Sequence, residues 1–127
     1  MQLTAIHLET KLSLVHDYWN PRVVAELNGQ SVKLVKFQGE FIWHHHAVED
    51  ELFLVVRGSL CMQYKDETDS VKKVNVEEGE MIVVPRGVLH CPVASSEEVH
   101  VLLFEPVKTI NTGEHRNART RLTLETI

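Results

Sequence analysis

The chain has 127 residues, 43% of them hydrophobic and 24% charged, with a formal net charge of -5. That is the size and balance of one soluble globular domain with a real core. The acidic balance argues against nucleic acid or an anionic membrane as the main partner.

The opening residues, MQLTAIHLETKLSL, lack a basic start followed by an apolar block, so no signal peptide is expected. No apolar run is long enough to span a bilayer. Two cysteines, Cys61 and Cys91, do not make a disulfide framework. A reducing cytoplasm is the expected location.

Helix signals are sparse. ETKLSLVHDY can form a turn or two, with Leu12 and Val15 facing inward. Next, VVAEL and VKLVKF flank Asn28-Gly29, a hairpin signal because both residues tolerate positive φ. Further short apolar runs follow: ELFLVV, SLCMQY, VKKVNV, MIVVP and HVLLFE. Gly58, Asp66-Glu67, Glu78-Gly79, Pro85-Arg86-Gly87 and Ser95-Ser96 punctuate them. Many short strands at even spacing predict an all-β sandwich or barrel.

Two runs are apolar on both faces. In ELFLVV, Phe53 and Val55 oppose Leu52, Leu54 and Val56; in HVLLFE, Val101 and Leu103 oppose Leu102 and Phe104. A sheet with one wet face should alternate apolar and polar. A second subunit covering the outer face is the expectation, making a homodimer. The alternative is that the N-terminal segment covers that face alone. After Pro106 the chain turns polar, with Arg116, Arg119 and Arg121. This C-terminal arm either lies on the surface or closes over a pocket or a partner.

The stretch FIWHHHAVEDELF carries three histidines and three acids. On a strand, His44 and His46 share one face and His45 points away. Two imidazoles at i and i+2 can converge on one ion, with an acid returning from the next strand. Imidazole and carboxylate together suit Zn, Mn, Fe, Ni or Co. With no thiolate evident, a closed structural zinc site is not expected. Glu49, Asp50 and Glu51 all remain candidates at this point. Glu51 shares a strand face with Phe53 and Val55.

A second stretch, GEMIVVPRGVLHCPVA, adds a strand, a turn and His90 at the start of the next strand. Together the two stretches resemble the cupin superfamily. Its first motif, G-x5-H-x-H-x3,4-E-x6-G, is matched by His44, His46, Glu51 and Gly58. Its second, G-x5-P-x-G-x2-H-x3-N, is matched by Gly79, Pro85, Gly87 and His90. Gly39 lies one residue too close to His44, and Ala94 replaces the final Asn, a position that is not a ligand in the family. The spacing to Gly58 selects Glu51 and leaves Glu49 and Asp50 as solvated acids.

The resemblance implies a double-stranded β-helix (jelly-roll) barrel with a short N-terminal helical segment. It implies a single domain over residues 1–127, with a core of about 20–106 and the arm at 107–127. It also implies that His44, His46, Glu51 and His90 hold one divalent metal per chain, Mn or Fe before Ni, Zn or Co. Open coordination positions would take water, a small-molecule ligand with oxygen donors, or dioxygen. The chain further resembles small bacterial cupins described as mannose-6-phosphate isomerase-like. The superfamily's sugar-phosphate isomerases typically use a glutamine among their zinc ligands, and three histidines with a glutamate look more like its oxygenase and oxidase members. A small-molecule metalloenzyme is therefore expected, and a non-catalytic metal-dependent binding or sensing module is the alternative.

His7, His16, His100 and His115 are isolated and read as surface or satisfied core residues. His45 could line an interface beside Trp43. Cys91 follows His90 directly, so it faces away from the metal and reads as a small buried hydrophobe, as does Cys61.

Overall fold

A computed structural model describes every residue from Met1 to Ile127. One short helix, α1 (Leu8–Leu12), precedes eight strands: β1 (Arg22–Leu27), β2 (Gln30–Phe37), β3 (Glu51–Arg57), β4 (Ser59–Lys65), β5 (Val71–Glu77), β6 (Met81–Val84), β7 (His90–Ala94) and β8 (Val99–Pro106). They form a five-stranded sheet, β1-β2-β8-β3-β6, and a three-stranded sheet, β5-β4-β7, all pairs antiparallel. From β3 onward only the β4–β5 hairpin stays within one sheet; every other connection crosses to the facing sheet. That winding is the jelly roll.

Local sequence explains the turns that matter. Asn28 and Gly29 adopt φ values of 50° and 74° and close the β1–β2 hairpin, as an Asn-Gly pair should. Gly58 alone carries the chain across from one sheet to the other between β3 and β4, at φ 93°. A Cβ there would lie 2.6 Å from the Glu98 carbonyl oxygen, so no larger residue fits.

The alternation read from ELFLVV and HVLLFE is the alternation observed. Phe53, Val55, Val101 and Leu103 are buried between the sheets with Leu60, Met62, Val76 and Val84. The opposite residues of β3 and β8 are half-buried on the outer face of the larger sheet. There the register aligns two apolar rows across four strands: Val32–Phe104–Leu52–Val83 and Leu34–Leu102–Leu54–Met81. α1 packs on β2 at one end of this face, burying Leu12 and Val15. At the other end, on edge strand β6, Met81 and Val83 remain 59% and 50% exposed.

The C-terminal arm returns to the body of the fold. Thr109 and Thr112 are buried, Thr126 bridges to Val23, and Gly113 packs against the backbone of His45. Asn111 ties the arm down: its amide donates to the Trp19 and Arg119 carbonyls and accepts from the Arg121 N–H. No helix is long and apolar enough to cross a membrane.

Candidate metal centre

His44, His46, Glu51 and His90 meet between the sheets. Each offers one ligand atom, and these atoms all lie within 4.8 Å of one another. All four residues are buried.

The backbone that brings them together differs in one respect from the sequence reading. Residues 41–50 are not a regular strand; His44 makes only an isolated bridge to His90. The His44 N–H donates to the His90 carbonyl at 3.0 Å, and the His90 N–H donates to the His44 carbonyl at 2.9 Å. Gly87 N–H donates to the His46 carbonyl at 2.8 Å, and Phe41 N–H to that of Pro92 at 3.0 Å. These bonds hold the segment extended against β7 and its preceding turn. The alternation survives: His44 and His46 point inward, while His45 is only half-buried.

The acids separate cleanly. Glu51, the first residue of β3, is inward and 4% exposed. Its Oε1 stands 3.2 Å from His46 Nε2 and 3.5 Å from His90 Nε2. Asp50 is exposed and accepts from the Arg86 backbone and guanidinium at 2.9 to 3.2 Å. Glu49 lies 3.9 Å from the other ring nitrogen of His46, beyond hydrogen-bond distance.

Carbonyls orient two of the rings. His44 Nδ1 donates to the Ile42 carbonyl and His90 Nδ1 to that of Val88, both at 2.9 Å. A carbonyl only accepts, so each Nδ1 carries the proton and each Nε2 presents a lone pair to the group. Burial, reinforced by His90, pushes His44 down to about 3, which keeps it neutral. Burial works against the charge of Glu51, but its neighbours Glu105, His46 and His90 outweigh it and hold the carboxyl well below its usual range. His46 is raised: burial opposes its charge and Glu51 overcomes that.

The group is unsatisfied by the protein alone. His46 Nε2, His90 Nε2 and Glu51 Oε1 are buried without a hydrogen-bond partner. Buried polar atoms are normally paired, because leaving one unpaired costs about 1–3 kcal/mol. Imidazole lone pairs and a carboxylate converging in a buried site are the donor set of a divalent transition metal, so the residues fit such an ion. Neither cysteine joins them. Cys91 is buried on the other face of β7, and burial pushes its thiol up to about 11. Cys61, expected to be buried, is only half-buried.

A second buried polar cluster backs the first, and the sequence reading missed it. Lys33 Nζ lies 2.8 Å from Glu105 Oε1, and both residues are nearly inaccessible. Burial, and then the charge of Glu51, raises Glu105 well above its usual range. Glu105 stands beside the carboxylate of Glu51. The signal was available: Lys33 shares a strand face with Val35 and Phe37, and Glu105 with Val101 and Leu103.

On one side the group abuts a cavity of about 30 Å³, lined by His44, Glu51 and the rings of Trp19, Phe37, Phe41 and Phe53. That is room for about two waters. Trp19 stacks on Phe37 and Phe41 at 4.2 and 4.6 Å between centroids, and Arg119 of the arm lies 5.7 Å over both Trp19 and Phe41. The arm thus reaches this cavity through Asn111 in its lining and Arg119 over its rings.

The cupin-domain profile matches residues 32–105, spanning both histidine stretches. The chain belongs to the cupin family. Among solved structures, a cupin-2 domain protein from Shewanella frigidimarina is 42% identical with a TM-score of 0.73, covering 80% of this chain and 93% of that one. Uncharacterized protein YdbB of Bacillus subtilis is 39% identical over 67 residues, 53% of this cupin and 56% of YdbB. An acireductone dioxygenase of Sulfurihydrogenibium sp. is 37% identical over 67 residues, 53% of this chain and 37% of that enzyme. The alignments thus span about half or less of these two curated relatives.

The pKa directions predict acid sensitivity of the metal-free protein. His44, normally near 6.5, is depressed in the fold, so below about pH 6.5 the unfolded chain takes up a proton that the folded chain refuses. Glu51 acts the same way at lower pH, while His46 and Glu105, both raised, soften the slope. Urea midpoints of the metal-free protein should fall as pH drops from 7 toward 4, and the fall should be shallower for His44→Phe.

Proposed function

We propose that this cupin holds one divalent metal through His44, His46, Glu51 and His90 and acts on a small oxygen-donor molecule as a mononuclear metalloenzyme. The observation that carries the reading is the set of buried, unpartnered ligand atoms, two imidazole Nε2 and one carboxylate oxygen, that converge with His44. Oxidase or oxygenase chemistry, or isomerisation, suits a ligand set of three histidines and one carboxylate. Mn or Fe is favoured over Ni, Zn or Co, and the acireductone dioxygenase relative supports the oxygen-chemistry side. When bound, the metal would supply Lewis-acid polarisation of an oxygen ligand or an inner-sphere redox centre.

The chain's own residues contribute three things. Val88 and Ile42 carbonyls fix the tautomers of His90 and His44. The rings of Phe37, Phe41 and Phe53 make the wall beside His44 and Glu51 apolar. The Lys33–Glu105 pair places a second buried carboxyl group beside Glu51. A metal-dependent binding module without turnover is the second reading; it is favoured if metal-loaded protein binds ligands and converts none. Two free cysteines suit a reducing compartment such as the cytoplasm.

The apolar rows on the larger sheet suit a second copy of the chain. The N-terminal segment covers the β2 end, and edge strand β6 leaves Met81 and Val83 exposed, an arrangement a two-fold partner would bury. Sedimentation at micromolar concentration should show a dimer, and Met81→Glu with Val83→Lys a monomer. A wild-type monomer contradicts the assembly.

Metal content tests the ligand set. His90→Ala should reduce bound metal severely, whereas His45→Ala should leave it intact by elemental analysis. Equal losses would refute the alternation that separates His45 from its neighbours.

A further inference from the structure

The aromatic cavity beside His44 and Glu51 holds about 30 Å³, room for about two waters. A second space, lined by none of the four, is set beside Glu51 and His90 by strand register. It is an open groove of about 690 Å³ between β4, β5 and β6, closed at one end by the turn Pro85–Val88. Its floor and walls are apolar: Met62, Val74, Ile82, Val84 and Val88.

Strand register connects this groove to the metal centre. Tyr64 pairs directly with His90 across β4–β7, and Val84 pairs directly with Glu51 across β3–β6. Directly opposed residues of antiparallel strands present their side chains to the same face, with Cβ atoms about 5 Å apart. His90 and Glu51 point inward, so Tyr64 and Val84 do too, and both line the groove. The inner end of the groove is therefore built from the immediate neighbours of two proposed ligands. Tyr64 is its one phenol.

The rim holds cations, but they are already paired. Arg86 is held by Asp50, and Lys65 lies 3.5 Å from Asp69. Asp66 and Glu67 add negative charge. Nothing in the groove matches a phosphate or a second carboxylate.

We propose that this groove is the ligand channel, and that it takes an apolar-bodied molecule carrying two vicinal oxygen donors. The oxygens reach the metal, the body lies against Met62, Val74 and Ile82, and Tyr64 hydrogen-bonds an oxygen of the bound head. Polycarboxylates and phosphorylated sugars are disfavoured by the same walls. The inference rests on the metal-centre reading, and its test separates the two.

The experiment is anaerobic calorimetry on metal-loaded protein with catechol, 4-tert-butylcatechol and oxalate as probes. Catechol tests the metal head alone. The butyl group tests the groove, and its partial burial should tighten binding roughly tenfold. Val74→Trp, which fills the groove away from the ligand residues, should abolish that advantage with metal content unchanged. Tyr64→Phe should weaken both catechols roughly fivefold, with metal content again unchanged. If catechol binds but the butyl group gains nothing, or if oxalate binds more tightly than 4-tert-butylcatechol, the groove assignment falls and the metal reading stands. Should Val74→Trp fail to fold, undiminished catechol affinity in Tyr64→Phe overturns the proposal by itself. Protein that takes up no metal, or whose metal binds no catechol, overturns the channel as well.

Discussion

The rest of the structure is organised around an electrostatic demand: lone pairs of imidazole and carboxylate lie buried with nothing in the protein to satisfy them. Water has little room to relieve such atoms, since the adjoining cavity holds about two molecules. A cation is the remaining partner that matches several inward-facing acceptors at once. Protonation is a poor substitute at His44, where burial alone disfavours the charged ring. Burying polar groups without partners is costly, and this core buries four that converge on one another.

The surrounding elements answer that demand in different ways. The bridge between His44 and His90 locks the two histidine stretches together, so the ligands from distant parts of the chain share one rigid support. Glu51 begins a central strand flanked by β8 and β6. Behind it, Lys33 and Glu105 form a buried pair whose charges are worth little for stability by themselves; their place beside Glu51 gives them a purpose. The aromatic stack of Trp19, Phe37 and Phe41, capped by Arg119, closes one side, and the apolar groove leaves the other open.

Much of this was legible in the chain because strand alternation is a strict rule with period two. It paired His44 with His46, turned Phe53 and Val55 inward, and foretold the second apolar face of β3 and β8. Alternation outlived the strand itself at residues 41–50, since an extended backbone held by a few hydrogen bonds keeps the same period. Applied to Lys33 and Glu105, the same rule would have shown two charges on core faces; they were overlooked because charged residues are read by default as exposed. What the arm does was not legible. Its contacts, from Gly113 to His45 and from Asn111 to Trp19, join residues far apart in sequence and carry no periodic signal.

X-ray absorption at the edge of the bound metal tests the central claim most directly. The bound metal should show nitrogen and oxygen neighbours only, with the outer-shell pattern of about three imidazoles. A sulfur neighbour, or a shell with no imidazole signature, would contradict it.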